Sequence, residues 1–218
     1  MSFNWLYCNL FIAILFFNIV KSDTDTNPDI DRFVEIANDR LTLSDYVALY
    51  KVVNNQSITD PKREEKLLND MRSKGKNLSL AEDYVTLVFQ DQINASKYFQ
   101  NYLVNLWNQT GIPLIKVRNL TTDLRPAIDQ INTEMLQLLV KIQKLPSKDC
   151  LKKVDKSVNN FIMRVNQIDE QNDALKMAVK GKDLCPACLI SSPGLEPTPE
   201  NIEAVVLHTP PPINIMKN

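Results

Sequence analysis

Four cations carry the first suggestion of chemistry in this chain: Arg40, Lys51, Arg63 and Arg125. Lys51 follows Arg40 by eleven residues, which at 100° each returns it to within about 20° of the same helical face, with a rise of roughly 16 Å between them. Two long side chains can lean across that distance into one groove, and short ones could not. Asp60, Arg63 and Glu64 fall within a single turn, and Ser96 and Gln100, four apart, share a face. Together these residues supply cations and hydrogen-bond donors, with few groups able to shuttle a proton. The sole histidine, His208, lies in a proline-rich stretch, which disfavours Ser-His-Asp and Cys-His nucleophile sets, histidine-rich zinc sites and imidazole acid–base chemistry. Each residue also has a plain structural use. Arg40, Lys51, Ser96 and Gln100 could be solvated, Asp60 could simply cap a helix, Glu64 could favour the helix dipole, and Arg125 could pair with Asp123 or Asp129.

Helices must position these side chains. The chain has only four glycines among 218 residues, and six of its twelve prolines fall between Pro193 and Pro212, so the body is poor in helix breakers and reads as all-α with about five to six helices. Asn27-Pro28 is a cap followed by proline at the first helical position, and the apolar spacing of Ile30, Phe33, Val34, Ala37 and Leu41 predicts a helix to about Val53, ending in Asn54-Asn55-Gln56-Ser57. Asp60-Pro61 starts a second helix running to Gly75. Ser79-Leu-Ala-Glu82 reads as a capping box for a third, whose apolar residues Val85, Val88 and Leu103 read as core, and Gly111-Ile-Pro113 breaks it. A fourth helix is expected over 122–145 and a fifth, continuous one over 150–180.

Residues 1–22 contain the apolar run Leu10–Phe17, too short to span a bilayer comfortably, and then Val20-Lys21-Ser22. They read as a signal peptide cleaved after Ser22, leaving a helical domain over 23–190 and a flexible tail over 191–218. Cleavage removes Cys8 and leaves Cys150, Cys185 and Cys188 in an oxidising compartment. One CxxC with no second pair and no nearby histidine argues against zinc, and its context is not that of a thioredoxin-type redox site. A staple from Cys150 to Cys185, with Cys188 as the alternative, is the preferred reading. Five Asn-x-Ser/Thr sequons, at Asn55, Asn77, Asn94, Asn108 and Asn119, could carry glycans. A net charge of −1 argues against nucleic acid or an anionic membrane as the partner, while leaving room for a local basic pocket.

The motifs also carry a resemblance. Arg40-Leu-x-Leu, Val47-Ala48-x-x-Lys51, Ile58-x-Asp60-x-x-Arg63-Glu64 and Phe89-x-x-Gln92-Ile93-x-Ala95-Ser96-Lys97-x-x-Gln100 resemble the successive motifs of the all-helical AroQ-type chorismate mutases. Arg125-x-Ala127-Ile128-Asp129 and the later cysteines resemble the secreted gamma subclass. The resemblance covers about Asp29 to Cys185. It implies a cofactor-free, metal-free intramolecular [3,3] rearrangement of chorismate to prephenate, in an exported protein that pairs as a homodimer. It also implies roles. Arg40, Arg63 and Arg125 would clamp carboxylates, Lys51 and Gln100 would donate to the ether oxygen, the backbone of Asp60 and Glu64 would bind the ring hydroxyl, and Ser96 would assist at a carboxylate. In the subclass the position of Gln100 is often glutamate. Delivery into a host cell to divert chorismate is one expectation for such an export, a periplasmic role is its rival, and a non-catalytic helical binding protein on the same scaffold is the alternative from another class.

Overall fold

A computed structural model describes residues 26–185. The predicted signal peptide, the tail over 191–218, Cys188 and His208 lie outside the described residues. The first helix, α1 (Pro28–Val53), begins as expected: Asn27 Oδ1 accepts from the backbone N–H groups of Asp29 and Ile30, with Pro28 at the first turn. It ends in a Schellman motif, in which Gln56 N–H donates to Lys51 O and Asn55 N–H to Val52 O, with Asn55 left-handed at φ 53°. The helix α2 (Pro61–Asn77) is capped by Asp60, whose Oδ1 accepts from Arg63 N–H at 3.1 Å.

The link to α3 (Glu82–Thr110) corrects the expected capping box. Ser79 makes no cap for α3; it is the left-handed residue, φ 59°, of a second Schellman motif that closes α2, with Leu80 N–H on Gly75 O and Ser79 N–H on Lys76 O. The connection is too short for one serine to end one helix and begin the next, and burial of Leu80 against the core settles which end it serves. Gly75 lets the two helices meet closely, since a Cβ there would stand 2.7 Å from Val85 Cγ2. Gly111, at φ 90°, terminates α3.

A single π-helical turn, Leu120–Leu124, leads into α4 (Arg125–Ile142), which stops short of the predicted Leu145. The predicted fifth helix is broken into α5 (Ser147–Arg164), α6 (Asp169–Ala178) and the one-turn α7 (Gly181–Leu184). No glycine or proline marks the break at 165–168; tertiary demands make it. A continuous helix would hold Cys150 and Cys185 about 50 Å apart, whereas they are disulfide-bonded with Cα atoms 5.9 Å apart. Folding back also buries Ala174, Leu175 and Ala178 completely or nearly so.

Among the described residues this makes six helices of ten residues or more and no strand. The centre is α1, packed by α3, α4, α5 and α6; its buried positions span more than half its circumference, wider than the stripe of a surface helix. The main core joins Phe33, Phe89, Phe99, Met135 and Leu139, and Val85, Val88 and Leu103 lie in it as expected. A second, smaller cluster of Val47, Leu120 and Leu124 docks the π turn on α1. No described helix is long and apolar enough to cross a membrane.

Candidate active site

Within the buried face of α1, Arg40, Ser44 and Lys51 form a polar strip, because offsets of four and eleven residues keep them within about 40° of one direction. Opposite the strip stand Ser96 and Gln100 of α3, the start of α2 with Asp60, Arg63 and Glu64, and Arg125, which the π turn delivers at the first residue of α4. All eight site residues expected from the sequence line one open cavity of about 710 Å³, counting the solvent at its mouth, with Val47, Ile58, Leu67, Ile93, Leu120 and Ile128 as apolar wall.

The cations inside the cavity are held differently from those at its rim. Arg40 is 6% exposed. Its Nε donates to Asn132 Oδ1 at 3.2 Å, and its Nη1 to Gln92 O at 2.8 Å and to Ser96 Oγ. Every one of these acceptors is neutral. Lys51, also buried, donates to the carbonyl of Ile58, again a neutral partner, on the loop that its own helix end folds back. The outer cations have carboxylate partners: Arg63 Nη2 meets Asp129 Oδ1 at 3.0 Å, Lys97 Nζ meets Glu64 Oε2 at 2.9 Å, and Arg125 Nη2 lies 3.8 Å from Asp60 Oδ2. Glu64 is further fixed by the Asp60 N–H on its Oε1 at 3.3 Å. Arg125 therefore pairs with neither Asp123 nor Asp129.

Burial governs the electrostatics. Burial, with a smaller contribution from the charge of Arg63, lowers the guanidinium of Arg40 to about 10, which still leaves it protonated at neutral pH. Lys51 is likewise pushed down by burial, opposed by the charges of Asp60 and Glu64. Five cations and two carboxylates line the cavity, a surplus of three positive charges in a chain of net charge −1. Such a pocket suits a small dianion, and low-dielectric walls strengthen its hold. The Oε1 of Gln100 is buried with no hydrogen-bond partner among the described protein atoms, so no protein contact settles which end of that amide faces the cavity. The described residues contain no group of His, Cys, Asp and Glu fit to hold a metal ion.

Sequence reasoning did not assign roles to Ser44, Lys97 or Asn132, and offered Asp129 only as a partner of Arg125, where the structure pairs it with Arg63. Ser44 was accessible to it, lying one helical turn from Arg40. The other three earn their places through contacts across 33, 66 and 92 residues of sequence, for which no local spacing gives a signal. Of the sequons, Asn94 lies inside α3, where its Oδ1 accepts from Gln90 Nε2 and its serine is the buried Ser96.

A family model described as chorismate mutase type II matches residues 30–101, from the start of α1 to just beyond Gln100. The chain is 27% identical over 139 residues to a secreted chorismate mutase of Mycobacterium tuberculosis, covering 63% of this chain and 70% of that protein. Among solved structures, a chorismate mutase from Burkholderia thailandensis superposes with a TM-score of 0.68 at 30% identity, covering 73% of this chain and all of the other. One from Burkholderia phymatum gives 0.65 at 25% identity, covering 73% and 99%.

Proposed function

The chain belongs to the chorismate mutase type II family, an isomerase that converts chorismate to prephenate, and from that premise we propose how its pocket carries out the reaction. The observation that carries the reading is the meeting of Arg40, Lys51, Arg63, Arg125, Ser96 and Gln100 around one cavity, with Arg40 and Lys51 on neutral partners only.

The rearrangement breaks the ether C–O bond as a C–C bond forms within the same molecule, and no proton enters or leaves. A protein accelerates it by holding the compact chair-like conformer and by aiming fixed donors at the ether oxygen, where negative charge grows. Arg40, with Ser96 beside it, takes one substrate carboxylate, and Arg63 and Arg125 take the other; forked guanidinium donors suit this task better than a point charge. The Lys51 ammonium and the Gln100 amide donate to the ether oxygen. Glu64, already oriented by Asp60 N–H and Lys97, accepts the ring hydroxyl. Substrate carboxylates displace the weaker rim pairings, Arg63 with Asp129 and Arg125 with Asp60, whose side chains are a quarter to nearly half exposed and held by modest energies.

The protein is read as secreted, supported by its likeness to a secreted mutase. Residues 1–22 are its signal peptide, so the exported chain begins at Asp23, which terminal sequencing checks. We propose that it pairs as a homodimer. The exposed Ile112, Leu114 and Ile115 between α3 and the π turn support this, and sedimentation at the monomer mass would reject it. Delivery into a host cell is supported by export of a biosynthetic activity whose substrate is intracellular; a tagged protein confined to the producing organism in infected tissue would contradict it. The enzymatic reading is tested by loss of chorismate absorbance with purified protein, which Arg63→Ala should reduce at least about 100-fold. Absence of turnover between about pH 4 and pH 8 would reject it in favour of a non-catalytic binding protein.

A further inference from the structure

We propose that Asn132 is a positioning residue that keeps the charge of Arg40 uncompensated for the ligand, an inference that rests on the carboxylate-clamp role of Arg40 given above. Asn132 sits on α4 with no exposure to solvent, and among the described residues its Oδ1 is the only side-chain carbonyl that holds Arg40. Because Arg40 Nε–H must donate, the oxygen of the amide is the atom that faces it, and the Nδ2 is turned away, buried, with no hydrogen-bond partner among the described residues. Locally this is the poorer of two isosteric choices. An aspartate of the same shape would exchange the orphaned N–H₂ for a second carboxylate oxygen and turn the bond to the guanidinium into a charge-assisted one, giving a buried cation the anion it now lacks.

The pattern at the rim shows what aspartate would do. Arg63, Lys97 and Arg125 each lie against a carboxylate; Arg40, the most buried guanidinium of the site, has three neutral acceptors. Those three bonds occupy Nε–H and both hydrogens of Nη1, leaving both hydrogens of Nη2 without an acceptor among the described residues. A buried carboxylate at position 132 would neutralise Arg40 permanently, and a substrate carboxylate entering beside it would meet a second anion at short range. Asparagine orients the guanidinium equally well without that repulsion, at the expense of one unsatisfied buried donor.

The test compares Asn132→Asp and Asn132→Leu in the full mature chain, measuring thermal midpoint, kcat, KM and the calorimetric affinity for prephenate. For Asn132→Asp we expect a midpoint equal to or above that of the unsubstituted protein, together with a KM and a prephenate dissociation constant raised roughly 10- to 100-fold and a much smaller change in kcat, the signature of lost ground-state binding. For Asn132→Leu we expect a lower midpoint and weakened prephenate binding, because Nε loses its acceptor. Unchanged prephenate affinity in either variant, or an Asn132→Asp protein that melts below the unsubstituted one, overturns the role of Asn132. An unsubstituted protein that does not turn over chorismate would instead reject the mutase reading itself, so the two failures are distinct.

Discussion

Glutamine at position 100 makes a prediction about pH that substitution by glutamate can test. Gln100 is 6% exposed and lines the cavity opposite Lys51. Its amide donates whatever the pH, so kcat of the unsubstituted protein should be flat from about pH 5 to about pH 8. The alkaline limit is set by Lys51, which must remain protonated to donate and which burial has pushed below its ordinary 10.5. In Gln100→Glu the shape is kept, but donation requires the neutral carboxyl. Its active fraction then falls tenfold for each pH unit above its pKa. With an ordinary glutamate value of about 4.3, the variant would retain about half its maximal rate at that pH and roughly a thousandth of it at pH 7.3. Burial raises that pKa and the nearby Lys51 and Lys97 lower it, which slides the profile along the pH axis and leaves its slope of −1 unchanged. The assay is the initial rate of chorismate disappearance at saturating substrate across pH 4 to 9. A Gln100→Glu profile as flat as that of the unsubstituted protein would refute donation from this position. So would an unsubstituted profile that collapses above about pH 5.5. Lys51→Ala provides the second arm: loss of a fixed donor should lower kcat by about 100- to 1000-fold, and near-normal turnover would remove Lys51 from the mechanism.

Two further predictions concern stability. The Cys150–Cys185 bond closes 35 residues, a loop whose closure entropy corresponds to about 3.8 kcal/mol; Cys150→Ala with Cys185→Ala should lower the thermal midpoint by about 8–15 °C while leaving kcat at 25 °C intact, since the bond ties α5 to the end of α7 and not to the cavity helices, and calorimetry with activity measured on one preparation checks both. Asp45 has a buried Oδ1 without a hydrogen-bond partner among the described residues, and burial pushes its carboxyl up to about 6 from 3.8. The folded state holds that proton more tightly than the unfolded chain, so its stability is full below about pH 4 and declines as pH rises through 6. Asp45→Asn should therefore stabilise the protein at pH 7 by about 1–2 kcal/mol once the partial exposure of the side chain is allowed for, with the gain vanishing below pH 4; denaturant titrations at both values would show it, and an equal effect at the two pH values would refute it.

What could be read in advance was local. The starts at Asn27-Pro28 and Asp60-Pro61, the stop at Asn54-Asn55 and the break at Gly111 depend on backbone groups within a few residues of each signal, and the structure reproduces them. The shared face of Arg40 and Lys51 follows from helical pitch alone; it was the resemblance of the motifs to a known family that named eight side chains for one pocket, and all eight line the cavity. Tertiary structure decided the rest. The break at 165–168 has no breaker residue, because burial of Ala174 and Leu175 and the reach of Cys185 to Cys150 impose it from outside the segment. Ser79 could cap either helix beside it until the packing of Leu80 assigned it to the end of α2. Which cations keep their charge available was likewise invisible, since the partners of Arg40, Arg63 and Glu64 come from 92, 66 and 33 residues away. Local hydrogen bonding and helical periodicity act over one or two turns, so a single chain can announce where its helices begin and which way a side chain faces. Only the packing of one helix against another determines what that side chain meets.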